Sequence, residues 1–180
     1  MPEIEIRPAI ATDIPTLIRI DHSYISDHVW QMGLHQESDS FGAMFREVRM
    51  PRSVRVDYPR SPQALAEDWL QRSGLLVALL ASEPVGYAGL MENIFPQTCS
   101  MTDLVVTQRL RRQGIGSALI LAALEWVRSR GTTRRLLLEM QPKNHAAINL
   151  AQKLGFDYCG YVDHYYVNHD ISIFFSKWIA

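Results

Sequence analysis

The stretch Val105 to Ala118, VVTQRLRRQGIGSA, restricts the possible folds more than any other part of the chain. A run of strand character ends at Thr107 and basic residues follow. Gly114 and Gly116 then open a long apolar helix that Gly131 closes. A strand feeding a helix through a glycine-rich turn builds an anion cradle. Glycine lets the backbone approach a ligand closely, and the free N–H groups of the helix start face outward at the positive end of the helix dipole. Arg109, Arg111 and Arg112 add charge. The third glycine of the dinucleotide fingerprint is absent, and so is the Gly-Lys-Ser/Thr of the nucleoside-triphosphate loop. Taken alone, the stretch is equally compatible with a basic loop that holds no ligand.

The flanking pattern sets the fold class. Glu3 to Arg7 alternates with period two and reads as a half-buried strand. Thr12 or Asp13 caps a helix with Pro15 in its first turn, running through Ile20. Residues 22–62 are irregular, although Ser53 to Tyr58 can be read as a strand, and 62–72 reads as a helix. Leu75 to Ala81 is a continuous apolar run of strand length. A turn at Ser82-Glu83-Pro84 joins it to a strand at Val85 to Ile94, as in an antiparallel hairpin. Strands follow at Met101 to Thr107 and Leu136 to Met140, on either side of the helix Gly116 to Arg130. That order implies a right-handed parallel crossover. Asn144 to Leu154 reads as a helix, and strand character returns from Phe156 and at Ile171 to Trp178. The expectation is one α/β domain over residues 1–180, with a mixed sheet of about seven strands flanked by helices.

Composition removes several classes. The chain has 180 residues, 47% hydrophobic and 21% charged, with a net charge of -1. It has the apolar content for a core and no polycationic bias toward nucleic acid or anionic membrane. Its apolar runs are shorter than a membrane span, and Met1 to Arg7 carries no leader pattern. Cys99 and Cys159 have no metal-ligand spacing and read as free thiols, which fits a cytoplasmic protein.

Two motifs in order carry a resemblance. Arg111-Arg112-Gln113-Gly114-Ile115-Gly116 resembles the Arg/Gln-x-x-Gly-x-Gly/Ala signature of the GCN5-related N-acetyltransferases (GNAT). Further on, Asn144-His145-Ala146-Ala147 leads into Leu154-Gly155-Phe156, which looks like the family's second motif. The resemblance covers Leu75 to the C-terminus. It implies a splayed central pair of parallel strands, here Met101–Thr107 and Leu136–Met140, with acetyl-CoA inserted between them as cosubstrate and no metal. The pantetheine arm would pair with Leu104, Val105 and Val106, one N–H polarising the thioester carbonyl. The pyrophosphate would sit on backbone N–H groups from Arg111 through Arg112, Gln113, Gly114, Ile115 and Gly116 to Ser117. Asn144 would face the cofactor, although a helix N-cap is a sufficient reason for an asparagine there. Residues 101–156 would form the acetyl-CoA-binding core and 22–62 a variable insert on the acceptor side.

Acetyl transfer to an ammonium requires a base, because an ammonium has no lone pair. Glu139, at the end of its strand, resembles the glutamate base of the ribosomal-protein N-terminal acetyltransferases. Asp103 and Glu92, on neighbouring strands, are the other candidates. Many family members carry a tyrosine acid at the position occupied here by Ala151, so the usual thiolate proton donor is missing. Tyr165 and Tyr166 resemble the tyrosine pair before the last strand of those enzymes, and one of them could serve. Tyr158 and Tyr161 are nearby alternatives, and water is another.

The remaining clusters have plainer readings. Asp163-His164 and His169-Asp170 lack a third metal ligand of matching spacing. Arg46, Arg49, Arg52 and Arg55 read as a solvated face beside Glu47 and Asp57, without the aromatic platform of an RNA binder. The expected activity is therefore N-acetyl transfer to a small amine, for instance of the streptothricin kind, or to a peptide N-terminus. A non-catalytic acyl-CoA-binding regulator is the alternative. The last strand, if exposed, would offer a homodimer edge.

Overall fold

The structure is a computed structural model that describes residues 3–179. Met1, where the N-terminal pattern begins, lies outside them. The chain runs β1 (Glu5–Pro8), α1 (Ile14–Leu17), β2 (Tyr24–Gln36), β3 (Phe41–Val56), α2 (Ala64–Asp68), β4 (Gly74–Leu80), β5 (Glu83–Phe95) and β6 (Thr98–Val106). A 3-10 turn at Gln108–Leu110 leads to α3 (Ile115–Arg130), β7 (Arg135–Met140), α4 (His145–Lys153), β8 (Asp157–Val162) and β9 (Ser172–Trp178). Seven strands form one mixed sheet in the order β1-β4-β5-β6-β7-β9-β8, and β2-β3 stands apart as a hairpin.

Each face of the sheet has its own core. Leu76, Ala78, Ala88, Leu136 and Leu138 pack with Ile115, Leu119, Ala123 and Val127 of α3 and Ile148 of α4. On the opposite face, Leu75, Val77, Leu79 and Tyr87 pack with Ile14 and Leu17 of α1 and Leu65 of α2. Burial on both faces explains why β4 reads as an unbroken apolar run rather than an alternation. Gly131 ends α3 at φ +73°, a left-handed conformation that favours glycine.

The central pair diverges. β6 and β7 are parallel and register Thr98 with Arg135 through Met101 with Leu138. Beyond that point β6 continues to Val106 against β5 alone, while β7 continues to Met140 against β9 alone. The expected splay therefore begins after Met101 and Leu138.

Three expectations change. Residues 22–62 are not irregular: most form the long β2-β3 hairpin, with a register shift between Ser26 and His28. Its strands are only half buried and carry exposed apolar residues such as Leu34, Phe41 and Met44, so they lack the clean alternation that identifies a strand. The first two helices are also shorter than expected, four and five residues. Finally, β9 is not an edge, because β7 and β8 pair with its two sides. The edges are β1 and β8, so the last strand provides no homodimer edge.

Candidate active site

The turn after β6 is shaped by two left-handed residues. Arg112 has φ +64° and Gly114 φ +91°. Left-handed residues reverse the course of the chain and can turn successive N–H groups toward one concavity. Leu110 and Arg111 donate their N–H groups to Thr107 and Gln108 in the 3-10 turn, and Ala118 is the first residue of α3 to donate to a helical carbonyl, that of Gly114. Among the described residues, the N–H groups of residues 112–117 have no main-chain acceptor and are open to a ligand. The Arg111 N–H, which the expected Arg111–Ser117 cradle includes, is already held by the Gln108 carbonyl.

The arginines differ in role. The Arg111 guanidinium donates to the carbonyls of Val106 (2.8 Å), Ser23 (2.7 Å) and Asp21 (2.8 Å). It straps the approach to the hairpin onto the end of β6. Arg112 is exposed and, like Arg111, lines the cleft. Gln113 faces outward and donates to the Arg109 carbonyl at 3.2 Å. The Ile115 side chain is fully buried in the core, so these two residues offer only main chain.

A cleft of about 360 Å³ runs along this turn. Leu104, Val105, Val106, Arg111, Arg112, Gly114, Gly116, Ser117 and Asn144 all line it. The chain beyond the splay leaves one edge of β6 free, and that edge faces the cleft. Asn144 caps α4, its Oδ1 accepting from the Ala147 N–H at 3.2 Å. The capping and cleft-facing roles therefore coexist in one side chain.

A smaller pocket of about 60 Å³ opens beside the cleft, sharing Tyr24, Tyr58, Leu104, Asn144 and Ala147 with it. Glu139 lies in its wall, with a side chain only 2% exposed. Burial raises its carboxyl above the ordinary glutamate range, and Arg60 and Tyr165 pull back only part of that shift. The Tyr165 hydroxyl donates to Glu139 Oε2 at 2.7 Å. Tyr166 is buried, in contact with Ser172 Oγ at 3.3 Å, and its ring lines the small pocket.

Sequence reasoning missed Arg60. Its Nη1 donates to the Thr102 carbonyl at 2.9 Å, and its Nη2 donates to Glu139. Thr102 and Glu139 are the first residues past the last β6-β7 pair. Arg60 therefore bridges both arms of the splay where the ladder stops and satisfies a carbonyl that has lost its strand partner. Nothing local in the sequence marks this arginine, since it follows a proline in a connecting segment.

The other carboxylates are placed differently. Asp103 is 3% exposed and faces the second core. Tyr58 donates to it at 2.6 Å, Arg72 at 2.5 Å and Thr102 at 3.0 Å. Burial works against ionisation, but Arg72 and Tyr58 outweigh it and hold the carboxyl below the usual range. Glu92 pairs with Arg130 at 3.1 Å and accepts from Thr133 at 2.6 Å, on the closed side of the strand pair. Neither is available at the splay.

The tyrosines are also redistributed. Tyr158 and Tyr161 pack on Phe45 of the hairpin, with ring centroids 5.8 and 5.7 Å away. Tyr24 and Tyr58 line both pockets. Ala151 is fully buried in the core. Arg46, Arg49 and Arg52 are solvent-exposed on β3. Arg55 pairs with Asp21 at 3.2 Å rather than with Asp57.

The family model described as "Acetyltransferase (GNAT) family" matches residues 41–156. The chain belongs to this family and is an acetyltransferase that uses acetyl-CoA. It is 28% identical over 162 residues to streptothricin acetyltransferase of Streptomyces lavendulae, covering 87% of this chain and 82% of that protein. A shorter match, 34% over 68 residues, relates it to an N-alpha-acetyltransferase of Sulfurisphaera tokodaii, over 38% of this chain and 41% of that one. A nourseothricin acetyltransferase structure aligns with a TM-score of 0.81 at 22% identity, over 98% of this chain and 99% of that one. A provisionally named streptothricin acetyltransferase from Bacillus anthracis str. Ames, solved in complex with acetyl coenzyme A, aligns at 0.75 and 21%, with the same coverage. Among the described residues, no helix is long and apolar enough to cross a membrane.

Proposed function

We propose that this protein moves the acetyl group of acetyl-CoA to a primary amine of a small, streptothricin-like acceptor, by direct attack within a ternary complex. The observation that carries the reading is Glu139: a buried carboxylate with a raised pKa, at the open end of the parallel pair, in a pocket contiguous with the cleft. The pyrophosphate would rest on the N–H groups of residues 112–117, and the pantetheine arm would run along the free edge of Leu104–Val106. An N–H of that edge would stabilise the charge that develops on the thioester oxygen. Residues 101–156 supply this core, and residues 22–62 supply the acceptor-side wall through Tyr24 and the hairpin. No metal is assigned to the chemistry.

Glu139 takes a proton from the incoming ammonium, directly or through one water, and Tyr165 holds it in position. The hydroxyl groups of Tyr24, Tyr58 and Tyr165 already donate to Gln141, Asp103 and Glu139, and that of Tyr166 contacts Ser172. The departing thiolate takes its proton from water, which in turn accepts the second proton of the attacking nitrogen. The match to the streptothricin enzyme covers 87% of this chain, against 38% for the N-alpha-acetyltransferase. That favours a small amine over a peptide N-terminus. The peptide reading rests on Glu139 and the Tyr165-Tyr166 pair, which resemble those of N-terminal acetyltransferases.

A thiol-release assay with acetyl-CoA against streptothricin, aminoglycosides, polyamines, amino acids and short peptides tests the assignment. Rapid release with streptothricin-like amines is expected. Release only with peptides would move the acceptor class, and acetyl-CoA binding without release from any amine would favour a regulator.

Arg60 offers a second check. Its charge lowers the Glu139 pKa, so Arg60→Met should raise it further. Because the base works deprotonated, the acid limb of the kcat/KM profile should move to higher pH, by roughly 1 to 3 units. An unmoved limb would detach Arg60 from the base.

A further inference from the structure

We propose that Tyr24 determines acceptor specificity: its phenolic oxygen accepts an N–H of the incoming ammonium, and Gln141 and Asp170 fix that polarity. The inference rests on the amine reading above and deepens it. Gln141 follows the last residue of β7, two positions on from Glu139, and is 3% exposed. Its Oε1 accepts from the Tyr24 hydroxyl at 2.9 Å, and its Nε2 donates to Asp170 Oδ2 at 2.7 Å. Tyr24 begins β2, at the base of the hairpin. Asp170 lies in the connection between β8 and β9, which also carries Tyr165 and Tyr166. One buried amide therefore ties together two segments distant in sequence. Tyr24 and Gln141 both line the small pocket that holds Glu139, so their hydrogen bond runs along its wall.

The direction of each bond follows from the chemistry of the end group. A carboxylate only accepts. Asp170 is held in place by its neighbours: Oδ2 also accepts from Asn168 Nδ2 at 3.0 Å, and its N–H donates to Asn168 Oδ1 at 3.1 Å. Its carbonyl accepts the N–H groups of Tyr165 and Tyr166 at 3.0 and 3.2 Å. Gln141 must therefore turn its amide nitrogen to Asp170 and its carbonyl to Tyr24. A flipped amide would set two acceptors against each other in a buried place. A phenol has a single proton, and the Gln141 carbonyl claims it. The Tyr24 oxygen is left with lone pairs alone to offer the pocket.

An oxygen that offers only lone pairs selects a ligand that brings donors. A primary ammonium brings three N–H groups. Glu139 takes the proton of one, and the Tyr24 oxygen holds a second, which orients the nitrogen as its lone pair is released. A carboxylate or phosphate brings no proton at neutral pH and finds no donor at Tyr24. Proton transfer belongs to Glu139, so Tyr24 acts on the binding and aim of the acceptor. Gln141 and Asp170 are positioning residues that act through it.

The test measures acceptor KM, kcat and acetyl-CoA affinity in the full chain, with streptothricin or, if another amine of the panel releases thiol faster, with that amine. Tyr24→Phe should raise acceptor KM by roughly 10- to 100-fold, the loss of a hydrogen bond to a charged group. Its kcat should fall less than its KM rises, and the acid limb set by Glu139 should stay in place. Gln141→Glu keeps the shape but sets a carboxylate against Asp170, and should raise KM at least about tenfold. The double variant Gln141→Glu/Asp170→Asn exchanges donor and acceptor between the two positions and leaves an oxygen to accept from Tyr24. Its KM should return to within about threefold of the parent's, a coupling that independent sites do not show. Acetyl-CoA affinity of the Gln141 variants should match the parent's, because Gln141 lies outside the cofactor cleft. If Gln141→Glu does not fold, Tyr24→Phe and the double variant carry the test. An unmoved KM in Tyr24→Phe, or a folded double variant with KM still raised, would overturn the proposal and leave the Glu139 reading standing. A parent that releases thiol with no amine would overturn both.

Discussion

Gly116→Trp should abolish acetyl-CoA binding while leaving a folded protein. A β-carbon at Gly116 would lie 3.4 Å from Leu150 Cδ2 and 4.0 Å from Leu104 Cδ2, ordinary contact distances. The backbone therefore accepts a side chain, and that side chain points between two residues that line the cleft. An indole there would fill the space beside the N–H cradle. Calorimetric titration with acetyl-CoA should show affinity reduced by at least roughly 100-fold, about 2.7 kcal/mol. Gly116→Ala is the control. Its methyl group meets only flexible leucine ends, and removing a helical glycine favours the folded state by roughly 0.5–1 kcal/mol. Acetyl-CoA affinity that survives the tryptophan would sink the cradle assignment.

Glu139→Gln carries the second large effect. Loss of a positioned general base costs typically about 10²- to 10⁴-fold in rate, so kcat should fall by that order while acetyl-CoA affinity changes little. The pH profile separates chemistry from damage. Burial raises the carboxyl above the ordinary glutamate range, and the working form is the carboxylate. Activity of the parent should therefore fall as pH drops through that raised pKa, and the limb should be absent from the variant. Glutamine has one carbonyl oxygen where glutamate offers two, to Arg60 and to Tyr165. One buried donor is left unpaired, which costs about 1–3 kcal/mol of stability. Rates should accordingly be compared well below the variant's Tm. An unchanged kcat with the limb intact would assign the proton to another group or to water.

Much of the core was legible because its signals are local. The strand–basic turn–glycine–helix order of residues 105–118 fixes a crossover and a cradle through backbone chemistry alone. The Asn144 cap and the Leu154-Gly155-Phe156 turn likewise depend on neighbours in the chain. Glu139 stood out because it lies near the end of an apolar strand, whereas its contact with Tyr165 appears only in the structure. The hairpin was not legible. Trp30 and Phe45 are only partly buried, packed against helix and strand residues distant in sequence, so neither strand shows a clean period.

The sequence by itself determined the sheet, its parallel crossover and the turn that leaves N–H groups free, because each follows from residues within a few positions of one another. Only the tertiary structure decided what surrounds Glu139. Arg60 reaches across 79 positions to Glu139, Tyr58 across 45 to Asp103, and Tyr24 across 117 to Gln141. The physical reason is the range of the forces. Dihedral preference and main-chain hydrogen bonding act along the chain, whereas ion pairing, desolvation and side-chain hydrogen bonding depend on distances that exist only after the sheet, the helices and the hairpin have packed.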